Sequence, residues 1–378
     1  MNCTTNTTDL PSTQGGIFDL GGLYAEFEQL TDHRKARGKR YGLALVLLLF
    51  VLAKLCGEDR PYGIAQWLSA RASSLIAMLH LPCRRLPSHN TLRRVLQQAV
   101  DLEQLQGAVR RFLCRGSATG KSVLVAIDGK TLRGSFVPEQ GQAIHLLAAY
   151  LPQEGVVLMQ VAVAPQENEL SAAPRLLRCL DLRGKVVMGD ALLTQRDLSI
   201  QIVQAGGDYL WLAKDNQPRL REDIALLFVP PTRTPGWGVP PHDFQTARVV
   251  NKGHGRLEER VLTSSELLNH YLDWPHVSQV FKVERCRTKL KDGTQQTEVV
   301  YGLTSLSRQK ADATCLLGLI RDYWGIENGL FGRRDTTLQE DKIRMTNPTL
   351  AQAMAIFNNL VIAFTLQQGW RYLPQARR

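Results

Sequence analysis

The stretch Ser122-Val123-Leu124-Val125-Ala126-Ile127-Asp128-Gly129-Lys130-Thr131-Leu132-Arg133-Gly134-Ser135 decides how this chain is read. Five apolar residues, Val123 to Ile127, run unbroken into Asp128. The run is too short for a core helix and rich in β-branched side chains, so it predicts a strand buried on both faces. One carboxylate then stands at the strand's carboxyl end. Gly129 would let the backbone turn there, with Lys130 and Arg133 adding positive charge beside the acid. Taken alone, Asp-Gly is equally an ordinary surface turn. A second acid presented the same way, and a third on a helix, favour a site.

Outward from that strand, further strands are expected at 144–150 and 156–164, then a helix at 172–180. A strand at 185–188 ends in Gly189-Asp190. A helix at 196–205, a strand at 209–213 and a helix at 219–228 follow. Three meandering strands and then alternating helices and strands predict a mixed α/β sheet flanked by helices. With the fourth strand parallel to the first, Asp128 and Asp190 fall at neighbouring carboxyl ends, where open α/β sheets place their sites. That is the geometry of an RNase H-like core.

The flanks differ in character. Residues 1–20 read as a loose tail, and 21–115 as an all-helical N-terminal domain ending at a Gly/Ser linker, 116–120. That domain includes a very apolar helix at 43–55, which holds Lys54 and is too short to span a bilayer. A basic cluster surrounds Arg34, Arg37 and Arg40, and a helix opening at Pro87-Ser88 carries Arg93 and Arg94 in its first turns. Such a run can be a solvated face; on a basic chain it also suits phosphate. The catalytic core is expected at 121–229 and again at 308–370, interrupted by a β-rich insertion at 230–307. Lys291-Asp292-Gly293 marks a hairpin inside that insertion.

Composition sets the class. Lys and Arg outnumber Asp and Glu by 46 to 35 in 378 residues, a net charge of +11 that favours a nucleic-acid partner over a membrane. Seven scattered cysteines without a Cys-x-x-Cys exclude a zinc framework and suit free thiols in a cytoplasmic, nucleoid-associated protein.

The third acid is Glu327. On a regular helix Trp324, Leu330 and Phe331 would flank it, docking that face on the sheet and carrying the carboxylate inward. Buried acids need a cationic partner. Three carboxylates without His or Cys suit two Mg²⁺ or Mn²⁺ ions, the arrangement for in-line phosphodiester displacement. Glu340 and Asp341 are an alternative third acid, or a helix-end pair that is structural or bound to Arg344. Lys214, Asn216 and Gln217 follow a strand end and read as loop polarity or phosphate contacts.

An ordered set of motifs resembles the H-repeat-associated, ISAs-type bacterial DDE transposases. It comprises Ala126–Ser135, Asp190-Ala191-Leu192 with Gln195, Asp208-Tyr209 with Asn216-Gln217, His254-Gly255-Arg256 with Glu258 and Arg260, and Ile326-Glu327-Asn328 with Asp335 and Glu340-Asp341. The resemblance runs from about Leu23 to Phe364. It implies that Asp128, Asp190 and Glu327 are the catalytic, metal-binding triad, acting on transposon ends and target DNA within a homo-oligomer. The family's His-Trp pairs beside the glutamate read here as Tyr323-Trp324 and Phe331-Gly332. DNA contacts are expected from Arg34, Arg37, Arg40, Arg93, Arg94, Lys130, Arg133, His254, Arg256, Arg333 and Arg334. Two other classes compete: a related nuclease that cuts without joining strands, and an inactivated DNA-binding relic.

Overall fold

The computed structural model describes residues 19–35, 37, 39–115, 123–230, 243–253 and 255–377. Nearly all of the expected tail, the whole linker and His254 lie outside them.

Among the described residues, nine strands form one sheet in the order β3-β2-β1-β4-β5-β9-β8-β7-β6. Its first half is β1 (Val123–Val137), β2 (Gln142–Leu151), β3 (Val156–Val163), β4 (Lys185–Gly189) and β5 (Asp208–Ala213). β1, β2 and β3 form an antiparallel meander, while β4 pairs parallel to β1 and β5 parallel to β4. This is the RNase H-like arrangement. Helices α7 (Glu169–Arg178), α8 (Arg196–Gln204) and α9 (Pro218–Leu227) return the chain between these strands and onward. Val125, Ile127, Val187, Tyr209 and Trp211 fill the core under them, because strands covered on both faces must be apolar throughout.

One local expectation is overturned. β1 does not turn at Gly129: it continues to Val137 as a long arm paired with β2, Asp128 opposite Ala148 and Thr131 opposite His145. Only the parallel ladder with β4 stops there, at Ile127 opposite Gly189.

The insertion is β-rich as expected, and it prolongs the sheet. β6 (Gln245–Gly253), β7 (Arg256–Ser265), β8 (Gln279–Lys289) and β9 (Gln295–Thr304) form an antiparallel meander whose last strand pairs with β5. The Asp292-Gly293 hairpin joins β8 to β9, with Gly293 at a φ of +68° that favours glycine. The chain returns through α10 (Ala313–Tyr323), a π-helical turn (Ile326–Phe331), α11 (Gly332–Thr336), α12 (Pro348–Gln367) and α13 (Leu373–Ala376).

The N-terminal helices are α1 (Leu20–Glu28), α2 (Leu43–Leu55), α3 (Pro61–Ala70), α4 (Ala72–Met78), α5 (His89–Gln98) and α6 (Leu102–Leu113). They do not enclose a core of their own. Val46, Leu49, Phe50, Leu96 and Phe112 share one apolar cluster with Ile356, Phe357, Leu360 and Phe364 of α12. Phe50 stacks on Phe357 at 5.2 Å, and Phe112 meets Phe364 edge-on at 5.3 Å. Helix α12 is long and apolar enough to cross a membrane, but 83% of that apolar stretch is buried inside this fold. Fully buried Lys54 meets Asp59 at 3.2 Å, and Arg377 grips the same carboxylate from the C-terminus.

Removing the ring at the centre of this shared cluster tests the coupling. Phe357→Ala should cost about 3–5 kcal/mol and expose the N-terminal helices and the sheet to limited proteolysis together. Protection of either part at the wild-type level while the other opens would contradict a common core.

Candidate active site at the ends of two parallel strands

Backbone pairing places the first two acids. Asp128 and Asp190 are the next residues after the last pair of the β1–β4 ladder, so they stand side by side where that ladder stops. Each turns to a backbone donor. Asp128 Oδ1 accepts the Gly129 N–H at 2.8 Å, and Asp190 Oδ1 accepts the Leu193 N–H at 3.3 Å, capping the short turn Ala191–Leu193. Asn216 and Gln217 donate to the carbonyls of Ala191 and Thr194, which makes them braces of the Asp190 turn.

Glu327 arrives differently from expectation. It lies in a π-helical turn, so the 3.6-residue spacing that was to bury its face does not hold. Ile326, Leu330 and Phe331 are buried, but Glu327 itself is exposed and Trp324 is 45% exposed. A Cβ on Gly325 would come within 2.9 Å of Pro152, so the turn is seated tightly on the loop after β2.

Two partners were missed in the sequence, Glu169 and His145, and a third, Tyr323, was noted only as a departure from the family's His-Trp pair. Glu169 opens α7, and its Oε1 lies 2.8 Å from His145 Nε2; the other ring nitrogen lies 2.9 Å from Thr131 Oγ1. A Cβ on Gly129 would stand 1.9 Å from Glu169 Oε1 and 2.7 Å from His145 Nε2. Gly129 is therefore needed for space beside Asp128, rather than for a turn.

The electrostatics bind the group together. Burial pushes the Asp128 carboxyl up to about 7, against the Gly129 N–H that favours its anion; Glu169, Asp190 and Glu327 push it further. Burial also raises Asp190, with Glu169 adding to it and Lys214 opposing. The Tyr323 phenol is raised by burial and then by all four carboxylates. Four acids and a phenol thus share one field, in which like charges disfavour simultaneous ionisation. Among the described residues no three His, Cys, Asp or Glu side chains are gathered as a ready ligand set.

The expected DNA contacts divide. Arg37, Arg40 and Arg94 line one groove of about 750 Å³ with His33, Lys35 and Arg85. Arg93, Arg133 and Arg256 are exposed. Two others, Lys130 and Arg334, are corrected, while Arg34 is held by the protein and still lines that groove. Lys130 is 7% exposed and ion-paired with Asp335, with Asp341 at 3.8 Å. Arg334 is fully buried against Glu340 at 2.8 Å, which replaces the expected Glu340–Arg344 pairing. Arg34 forks onto Asp32 and donates to the Tyr41 carbonyl at 2.7 Å. Lys130 and Arg334 build the protein. Arg333 is half-buried and donates to the carbonyls of Gly329 and Arg371.

Known proteins match the chain in two adjoining parts. Residues 24–113 match the model for DDE_Tnp_1-associated regions, and residues 119–364 match that of the transposase DDE domain. YbfL of Escherichia coli K12 is 27% identical over 353 residues, 91% of this chain and 90% of that protein. The H repeat-associated protein YhhI of the same strain, provisionally named a transposase, is 26% identical over the same shares. An uncharacterised protein from the dhlA 3′ region of Xanthobacter autotrophicus is 32% identical over 267 residues, 69% of this chain and 87% of its own. A piggyBac transposase synaptic complex with hairpin DNA aligns over 94% of this chain and 77% of its own, at a TM-score of 0.45 and 9% identity.

Asp128 makes a testable pH signature. Its folded-state value is raised from the ordinary 3.8 to about 7, so the neutral carboxyl is tolerated and its ionisation opposes folding. Stability of the metal-free protein should therefore fall as pH rises from about 4 to 7 and then level off. Asp128→Asn should raise the melting temperature by about 2–5 °C at pH 8 and by nothing at pH 4. Equal melting of the two proteins at pH 8 would remove the repulsion from the account.

Proposed function

The chain belongs to the DDE-domain transposase family, and from that premise we propose that it cuts DNA at the ends of its own mobile element and joins the freed 3′-hydroxyl to target DNA. The observation that carries this reading is the shared field of Asp128, Asp190 and Glu327 where the parallel ladder ends.

The donor chemistry fits a hard divalent ion. The acids offer only carboxylate oxygens, a set suited to Mg²⁺ or Mn²⁺ rather than zinc. Asp128, Asp190 and Glu327 would hold two such ions, with Glu169 beside them. When bound, the ions supply positive charge where negative charge builds on the phosphate oxygens. Asp128, half-protonated near neutrality without a counter-charge, would then give up its proton. The Asp190 turn and the π-helical turn would orient the carboxylates, and Lys130 would hold β1 to α11.

The basic groove of the N-terminal helices would take the element's ends through phosphate contacts by Arg37, Arg40 and Arg94. A pair of ends must meet for joining, so a homo-oligomer is part of the proposal. The Phe331-Gly332 departure falls on a packing position: Phe331 is buried and lies under the Lys130 ammonium at 5.8 Å. That favours an enzyme over a relic, since the change leaves the acids untouched.

A labelled plasmid carrying the element's own ends, incubated with the full chain and Mg²⁺, should yield cleaved and then joined products. Asp128→Asn, Asp190→Asn and Glu327→Gln should each lower cleavage by at least about 10³-fold and leave end binding within about twofold. Arg37→Gln with Arg94→Gln should instead weaken end binding and reduce its log–log salt slope by about 2. Near wild-type cutting by Glu327→Gln would refute the assignment; cleavage without any joined product would reduce the protein to a nuclease.

A further inference from the structure

Glu169 is not needed at the start of its own helix. Asn168 caps α7 by accepting the Ser171 N–H, and Ser171 Oγ accepts the Asn168 N–H in return. An acid in a first helical turn ordinarily faces its own backbone donors or solvent. The Glu169 carboxylate instead reaches across to the sheet, where Oε1 lies 2.8 Å from His145 Nε2 on β2. An ionised carboxylate can only accept, which assigns the proton to that nitrogen. Nδ1, 2.9 Å from Thr131 Oγ1, then accepts the threonine hydroxyl. Thr131 and His145 are cross-strand partners, so the hydrogen-bonded chain is anchored in the β1–β2 ladder.

Where the carboxylate ends up is set by a missing side chain. A Cβ on Gly129 would stand 1.9 Å from Glu169 Oε1, so this oxygen lies against the backbone immediately after Asp128. From there it raises the cost of ionising both Asp128 and Asp190. An acid held in that position works against cohesion, and its neighbours are shaped to keep it there.

Its direction of approach is also distinct. Helix α7 packs with Ile127, Leu147 and Ala149 on one face of the sheet, while the π-helical turn packs with Ala126 and Ala148 on the other. Glu169 and Glu327 therefore come to the ends of β1 and β4 from opposite faces. In-line displacement at phosphorus likewise puts the entering and leaving oxygens on opposite sides. On the Glu169 side a cavity of about 660 Å³, lined by His145 and by Leu192 of the Asp190 turn, gives water a way in.

We propose that Glu169 holds the attacking water during cleavage, its second carboxylate oxygen accepting one of the water's O–H groups, and that His145 is the positioning residue for Glu169. The inference rests on the transposase reading and separates its two steps. In cleavage the water oxygen bonds phosphorus and the bond to the 3′ oxygen breaks. The proton lost by the water is matched by one gained at that 3′ oxygen. In joining, the attacking hydroxyl is carried into place by its own strand and needs no such holder.

The test gives the full chain and Mg²⁺ two substrates: intact element ends, and pre-cut ends bearing a 3′-hydroxyl. Glu169→Gln should slow cleavage of intact ends about 10²-fold and leave joining of pre-cut ends within about threefold. His145→Ala should slow cleavage about tenfold. His145→Gln should restore most of that loss, because its amide donates the same bond. Without divalent ions, nitrogen NMR of labelled histidine should show His145 as the Nε2–H tautomer, a preference lost in Glu169→Gln. Calorimetry with Mn²⁺ should give Glu169→Gln nearly the wild-type affinity, and matched melting curves exclude misfolding. Equal slowing of cleavage and joining, or a loss of Mn²⁺ affinity as large as that of Asp128→Asn, would overturn the proposal and make Glu169 an ion ligand. Normal cutting and joining by Glu169→Gln would remove this role alone. A wild type that neither cuts nor joins would remove the transposase reading, and this role with it.

Discussion

Like charge crowded into one place is the constraint on which the rest of this molecule depends. Asp128, Glu169, Asp190 and Glu327 come from a strand, a helix start, a strand end and a π-helical turn, and the last three each raise the cost of ionising Asp128. A fold holds such a group only if every backbone segment carrying an acid is tied down elsewhere. The ties are visible. Lys130 joins β1 to Asp335 and Asp341, and buried Arg334 joins the segment after Glu327 to Glu340. Glu340 in turn accepts from Asn358 at 2.7 Å, and the adjacent Asn359 donates to Gln160 of β3 at 3.0 Å. A buried ion pair of this kind adds little net stability but is costly to break, which makes it a device for fixing position.

The same path reaches the N-terminal helices. Asn358 and Asn359 sit on α12, whose apolar flank is the shared floor of Phe50, Leu96 and Phe112. The basic groove and the acidic site therefore stand on one helix. DNA held in the groove would be held at a fixed offset from the acids, without a hinge between two separate cores.

Much of this was legible because buried parallel strands leave a plain trace. Val123 to Ile127 and Lys185 to Met188 read as strands through short apolar stretches rich in β-branched side chains, and both carry an acid past their ladder. The hairpin at Asp292-Gly293 was equally plain. The strands β6 and β7 were not, because Arg248 with Glu259 and Arg260 with Glu258 give them charges on both faces and no apolar alternation. Glu169 was hidden among ordinary helix-start polarity after Asn168, and only the room beside Gly129 reveals it. The π-helical turn has no periodic signature, so Glu327 was expected to be carried inward and is instead exposed. Arg334 and Lys130 looked like DNA contacts because sequence shows charge and not the acid that three-dimensional folding brings to it.

The central claim is that the four acids form one unneutralised field that a divalent cation completes. Calorimetric titration of the full chain with Mn²⁺ at pH 7, repeated in buffers of different ionisation enthalpy, measures both binding and proton release. Wild type should release about half a proton on binding, because Asp128 is half-protonated there and must ionise. Asp128→Asn should bind far more weakly and release none. Equal Mn²⁺ affinity in the two proteins, or binding with no proton released by wild type, would contradict the account.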